Sequence, residues 1–134
     1  MNLFIARLFL RITLAAGFLS AVADRFGFWG ESGTPNVAWG DWPSFVEYVA
    51  LLNAYAPPEI IPMLAWTATI AEVVIAAGLL IGWKLRWFAL ASGILLLTFC
   101  ITMALYMGIK APLDYSVFGL AAASFALAAM CGKK

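Results

Sequence analysis

The sequence predicts an all-α membrane protein: a bundle of four transmembrane helices with an outer loop that contains a short amphipathic helix. Hydrophobic residues make up 65% of the 134 residues and charged residues only 11%, whereas soluble domains have about 45–50% and about 25%. Four apolar stretches are close to the length of about 20 residues that a helix needs to cross a bilayer. The net charge is only +1, so the chain lacks the basic surface that nucleic-acid binding requires. The expected surroundings are a lipid bilayer.

The four predicted spans belong to one domain, residues 1–134, and are separated by one long loop and two short turns. They cover residues 3–23, 60–82, 87–109 and 115–131, and the long outer loop covers residues 24–59. The first span contains Arg7 and Arg11, the second contains Glu72, and the third has no charged residue. The fourth is shorter and rich in alanine.

Lysine and arginine residues predict the orientation, because they concentrate on the cytoplasmic side of membrane proteins. With four crossings, the following cluster at one end of the bundle: Arg7, Arg11, Lys84, Arg86, Lys133 and Lys134. Both termini are therefore predicted to lie in the cytoplasm. Ala21–Ala23 also has the pattern of a signal-peptidase site, but four crossings use the positive charges more consistently.

The outer loop divides into two parts. Its first part is rich in glycine and other turn formers, which predicts irregular structure. Ser44 and Glu47 then have the spacing of a capping box, in which each side chain bonds the other residue's backbone amide. Apolar side chains recur at helical spacing after Ser44, so we predict an amphipathic helix over residues 44–55 that ends before Pro57.

Four tryptophans, Trp29, Trp39, Trp42 and Trp66, belong to the outer side. Tryptophan is enriched at membrane interfaces, so an aromatic belt is the favoured interpretation. The alternative is a pocket for a flat ring, such as a quinone head group, which makes quinone the candidate cofactor.

Arg11 and Glu72 are predicted to form an ion pair between the first two spans. By helical rise, the two residues lie about 12 Å and about 15 Å from the cytoplasmic end. Unpaired charges at such depths are costly, and each residue is the obvious partner for the other. The pair either fixes the register of the helices or forms a proton or substrate site, with Glu72 as the titrating group.

A second polar cluster is predicted at the outer ends of the spans, formed by Asp24, Arg25, Lys110, Asp114 and Tyr115. Here Arg25 is expected to pair with Asp114, and Lys110 with Asp24. The cluster represents either helix capping with surface ion pairs or the mouth of a cavity. No set of residues indicates a metal site, and the catalytic residues, if the chain has any, are unknown.

The two cysteines are predicted to be simple apolar fillers. Cys100 falls in the third span and Cys131 at the inner end of the fourth, about 20 Å apart by helical rise. This separation is too large for a disulfide.

Several segments together resemble the DoxX family of small four-helix membrane proteins. They are Arg11, Gly17–Ser20, Ala23–Gly30, Asn36–Gly40, Trp66, Thr69–Glu72, Leu80–Gly82 and Gly108–Val117. The resemblance implies a bundle in a bacterial-type inner membrane. It also implies kinship with membrane subunits of a thiosulfate:quinone oxidoreductase and with members linked to oxidative-stress thiol systems.

The predicted function is a membrane subunit or partner of a quinone- or thiol-linked redox system, which includes a non-catalytic subunit of an oxidoreductase. Because the chain has no histidine and no pair of nearby cysteines, electrons would come from a bound cofactor or from a redox partner protein. Two alternatives stay open: a small proton-coupled transporter that works as a homo-oligomer, and a non-catalytic membrane scaffold.

Overall fold

The computed structural model describes residues 1–132 and is all-helical over that range. The helices are α1 (Leu3–Arg25), α2 (Trp42–Leu52), α3 (Ile61–Ile81), α4 (Leu85–Met107), α5 (Lys110–Asp114) and α6 (Val117–Met130), and one 3₁₀ turn, Pro58–Ile60, precedes α3. Helices suit an apolar chain in lipid because they satisfy their backbone hydrogen bonds internally.

Three helical segments are long and apolar enough to cross a membrane: α1, Pro58–Ile81 and α4. The predicted fourth span corresponds to α6, which has only 14 residues and a length of about 21 Å. It is shorter than predicted because Ser116 adopts a left-handed conformation, with φ of 55°, just before the helix begins. Lys133 and Lys134, which belong to the predicted cytoplasmic cluster of positive charges, lie outside the described residues.

The four longest helices pack as a closed ring in which α1 contacts α3, α3 contacts α4, α4 contacts α6 and α6 contacts α1. Each helix contributes three side chains to the buried apolar core: Leu14, Ala15, Phe18, Ile75, Ala76, Leu79, Leu85, Ala89, Leu96, Ala121, Leu127 and Ala128. Many large apolar side chains on the outside of the same helices are exposed, as expected for surfaces that face lipid.

Glycines allow neighbouring helices to approach closely within the bundle. A Cβ atom on Gly78 of α3 would collide with the ring of Phe88, and one on Gly93 of α4 would lie 2.7 Å from the ring of Phe125. Small residues serve helix contacts in this way in many membrane proteins. These two glycines therefore contribute to packing inside the bundle.

The segment between α1 and α3 folds over one end of the bundle. We call residues 26–57 the cap, and the end they cover the cap end; it corresponds to the predicted outer loop. The cap consists of an irregular segment followed by α2, which packs on α3 through Phe45 and Val49 against Ile61 and Ala65.

Helix α2 begins and ends earlier than the predicted range of 44–55. Its N-cap is Asp41, whose side chain accepts a hydrogen bond of 2.8 Å from the amide of Ser44. The predicted capping box of Ser44 and Glu47 does not form, because Ser44 already lies inside the first turn. Pro43 is tolerated there because the first turn of a helix does not need its amide for an intrahelical bond.

Candidate functional site

The candidate site is a buried ion pair between α1 and α3 beneath the cap. Arg25 is the last residue of α1, and Glu72 lies in the middle of α3. Arg25 Nη2 lies 2.6 Å from Glu72 Oε2, and the two side chains are only 3% and 2% exposed. Such burial removes both charges from water, so each depends on the other for compensation.

Polar and aromatic neighbours hold the guanidinium of Arg25 in place. Arg25 Nη1 donates a 2.7 Å hydrogen bond to the hydroxyl of Thr69, and that hydroxyl donates to the carbonyl of Ala65 at 2.9 Å. The guanidinium carbon lies 3.8 Å from the ring centroid of Phe45 and 5.3 Å from that of Trp39. Cation–π contacts of this kind are strongest when the cation is desolvated. Arg25 therefore connects α1 and α3 to the cap.

The neighbouring Asp24 organises the irregular part of the cap. Its Oδ2 accepts a hydrogen bond of 2.9 Å from the amide of Ala38, and its Oδ1 accepts bonds of 2.8 and 3.0 Å from the amides of Trp39 and Gly40. Gly40 has φ of +77°, and a Cβ atom there would collide with the backbone of Glu31 and Ser32. Glycine is therefore required where the cap backbone turns back on itself.

Of the four tryptophans assigned to the outer side, three form one aromatic cluster over this site. The ring of Trp42 lies 4.2 Å from that of Trp66 and stacks on Phe26 at 5.5 Å, and Trp39 contacts Phe45 at 5.0 Å. Trp29 lies apart from this cluster, and its ring nitrogen donates to the carbonyl of Ser20 in α1 at 3.1 Å. Phe26 and Trp42 stack face to face, whereas the other pairs meet at an angle, so the rings of the cluster pack directly on one another.

The predicted ion pair between Arg11 and Glu72 does not form. Arg11 Nε donates to the carbonyl of Leu79 at 2.8 Å, and Nη2 donates to that of Leu80 at 2.9 Å. Helical side chains lean toward the N-terminus of their own helix. Because α1 and α3 are antiparallel, Arg11 leans toward the end of α3, whereas Glu72 leans toward the cap end and meets Arg25.

Arg11 instead caps the C-terminus of α3, where carbonyl groups lack intrahelical partners. Gly82, the C-cap residue that follows α3, has φ of +80°, and the Arg11 guanidinium occupies the position that a Cβ atom at Gly82 would need. Arg7 Nη2 contacts the sulfur of Cys131 at 3.4 Å. Both cysteines are free, and Cys100 is buried.

The predicted outer polar cluster separates into two parts. Lys110 and Asp114 pair with each other, one turn apart on α5, and both are exposed. The predicted pairs of Arg25 with Asp114 and of Lys110 with Asp24 do not form, because Asp24 and Arg25 face the cap backbone and α3. Tyr115 is exposed at the end of α5.

The sequence did not predict the role of Thr69 or the pairing of Arg25 with Glu72. The one sequence feature that pointed to this site is the position of Asp24 and Arg25 at the end of the first helix.

Another buried polar contact joins α4 to α6. The hydroxyls of Ser92 and Ser124 lie 2.8 Å apart, and both side chains are fully buried. Hydrogen bonds between helices help to fix helix pairing in membranes. Within residues 1–132, no group of three or more histidine, cysteine, aspartate or glutamate side chains is placed to hold a metal ion.

These features define an all-helical membrane protein whose capped end is joined to the bundle by buried charges. The family model described as "Methylamine utilisation protein MauE" matches residues 3–116. The chain therefore belongs to the MauE family, a family of membrane proteins. It has no match among the curated proteins or the solved structures with which it was compared.

The family assignment overturns the resemblance to the DoxX family. The matched region includes nearly all of the segments on which that resemblance depended, among them the turn over Lys110–Asp114. Apolar spans, small residues at helix contacts and an aromatic loop follow from the physics of small membrane bundles. They therefore occur in more than one family and do not distinguish between families.

Proposed function

We propose that this protein is a membrane accessory component of a redox system that oxidises a small amine, with the cap as the surface that receives a redox partner protein. The family description supports the amine, because using methylamine as a nutrient requires oxidation of its carbon. The observation that carries an accessory role is the attachment of the cap. Two adjacent buried charges, Asp24 and Arg25, hold it in one arrangement against the bundle.

The proposal places four crossings in an inner membrane, with the cap outside and both termini in the cytoplasm. Helix α6 shares the buried core with α1, α3 and α4, which supports its role as the fourth crossing despite its length. Arg7, Arg11, Lys84 and Arg86 all lie at the end opposite the cap, which supports the orientation. In this placement α2 lies at the outer membrane surface with its apolar face on α3.

In this proposal the pair of Arg25 and Glu72 holds the cap to the bundle and is not a transport site. A proton-coupled transporter needs a carboxylate that exchanges protons with water, and Glu72 is paired and almost completely buried. The packed rings of Trp42, Trp66 and Phe26 support an aromatic anchor at the interface more than a vacant site for a quinone ring. The accessory role is therefore better supported than a proton-coupled transporter or a quinone site.

A deletion and complementation experiment tests this function. In the native strain, grown on another carbon source with methylamine added, removal of the gene should abolish most of the amine-dependent reduction of an electron-acceptor dye in cell extracts. The wild-type gene should restore the activity, and so should Lys110→Gln, which removes only an exposed ion pair. Glu72→Leu, which leaves Arg25 without compensation, should not restore it. Full dye reduction in the deletion strain would contradict the proposal.

A further inference from the structure

A cavity of about 420 Å³ lies between α4 and α6 at the end of the bundle opposite the cap. Its lining residues are Arg86, Leu90, Phe125, Ala128, Ala129 and Gly132. Arg86 lies in the first turn of α4 and Gly132 follows α6, so the polar rim lies at the helix ends. The apolar lining residues continue from there along both helices toward the middle of the bundle.

Arg86 is the charged group of this cavity. Its guanidinium carbon lies 3.5 Å from the position that a Cβ atom on Gly132 would occupy, so the absence of a side chain at Gly132 leaves room beside the charge. Among residues 1–132, no carboxylate lies within 4.0 Å of Arg86. By contrast, the nearby Arg11 is engaged by two backbone carbonyls. Arg86 therefore presents to the cavity a positive charge that no carboxylate side chain of residues 1–132 compensates.

Aromatic side chains place this rim at the depth of lipid head groups. Trp83 and Trp87 flank Arg86 in the sequence and are about two-thirds exposed. Tryptophan concentrates at the boundary between hydrocarbon and water. A guanidinium at this depth meets phosphate groups, which it binds with two parallel hydrogen bonds.

We propose that this cavity binds an anionic phospholipid, with the phosphate on Arg86 and an acyl chain against Leu90, Phe125 and Ala128. The positive charge of Arg86 favours an anionic head group. The apolar walls favour a ligand with an acyl chain, because a free anion would leave these walls in contact with water. Basic cavities between transmembrane helices bind anionic lipids in this way. The proposal requires only that α4 and α6 lie in the membrane, and it does not depend on the proposed redox role.

Native mass spectrometry of the purified protein tests the proposal, with phosphatidylglycerol and phosphatidylcholine added at equal concentration. The wild type should retain one phosphatidylglycerol per chain, with a preference of about fivefold over phosphatidylcholine. Arg86→Gln should remove this preference. Lys84→Gln is the matched control, because it removes a charge two residues away whose ammonium lies over the ring of Trp83, and it should keep the preference.

A second variant tests the acyl-chain part of the site without altering its charge. Ala129→Phe fills the cavity and should reduce retention of both lipids, whereas Ala126→Phe, one turn earlier on α6 and outside the lining, should not. Equal losses in Arg86→Gln and Lys84→Gln would show a diffuse charge effect and overturn the proposal. Displacement of the lipid by glycerol phosphate, or occupation of the groove by a second copy of the chain, would also overturn it.

Discussion

At the level of single residues, Glu72 is compensated by Arg25 and not by Arg11. Arg25 and Glu72 are both almost completely buried and lie 2.6 Å apart. Because the pair is buried, removal of one partner is strongly destabilising: the remaining charge is left in a medium that solvates it poorly. Replacement of both residues by apolar side chains removes that cost.

We expect Arg25→Met and Glu72→Leu each to destabilise the protein by about 3–5 kcal/mol. The double variant should lose less stability than the more damaged single variant. Thermal unfolding of the purified protein in detergent measures the effects. The control is the exposed pair of Lys110 and Asp114, where single substitutions should cost about 0.5 kcal/mol. A double variant at least as unstable as the worse single variant would show that the charges do not compensate each other.

The sequence predicted that Glu72 needs a positive partner, but it identified the wrong one. Counting residues along a helix gives the depth of each Cα atom, and by that measure Arg11 matched Glu72. The reach and lean of long side chains decide the contact, and these depend on how the helices pack. Asp24 was also given the wrong partner, Lys110, because its actual partners are backbone amides about 15 residues later in the chain.

At the element scale, α2 depends on its N-cap. The amide of Ser44 donates to Asp41, and this bond, with a further one from the Ser44 hydroxyl, holds the pKa of the Asp41 carboxyl below its usual range. A carboxyl with a lowered folded-state pKa stabilises the fold above its unfolded-state pKa. That contribution is lost as the pH falls through the folded-state value.

We therefore expect Asp41→Ala to lower the thermal midpoint by a few degrees at pH 7. The difference between wild type and this variant should narrow as the pH is lowered through the acidic range below pH 4. Asp41→Asn is the control, because its amide oxygen caps the helix without a titrating charge, and its difference from the alanine variant should not change with pH. A difference between wild type and Asp41→Ala that stays constant down to pH 2 would exclude a capping role for the carboxylate.

The existence of a helix in the loop was predictable from apolar spacing, but its cap was not. Two competing N-cap signals stand three residues apart, at Asp41 and Ser44. Asp41 is the N-cap because Gly40 turns the backbone just before it and Asp24 accepts hydrogen bonds from the amides of residues 38–40. These are contacts with the end of α1, so local sequence does not reveal them.

At the scale of the whole molecule, the protein combines an apolar bundle with a cap that is attached at one end. Composition predicted a membrane protein, because 11% charged residues cannot cover the surface of a soluble one, and the long apolar stretches predicted the helical bundle. The attachment of the cap depends on Arg25, whose guanidinium lies between Glu72 of α3 and Phe45 of α2. Loss of the Glu72 charge should drive Arg25 toward water and displace Phe45.

The most direct test of this attachment is hydrogen–deuterium exchange of Glu72→Gln beside the wild type and Lys110→Gln. We expect amide exchange over residues 38–52 to accelerate about tenfold or more in Glu72→Gln. Exchange in α4 and α6 should be unchanged, and Lys110→Gln should match the wild type throughout. Unchanged exchange in the cap, or acceleration spread evenly over the cap, α4 and α6, would contradict the claim that the Arg25–Glu72 pair fastens the cap to the bundle.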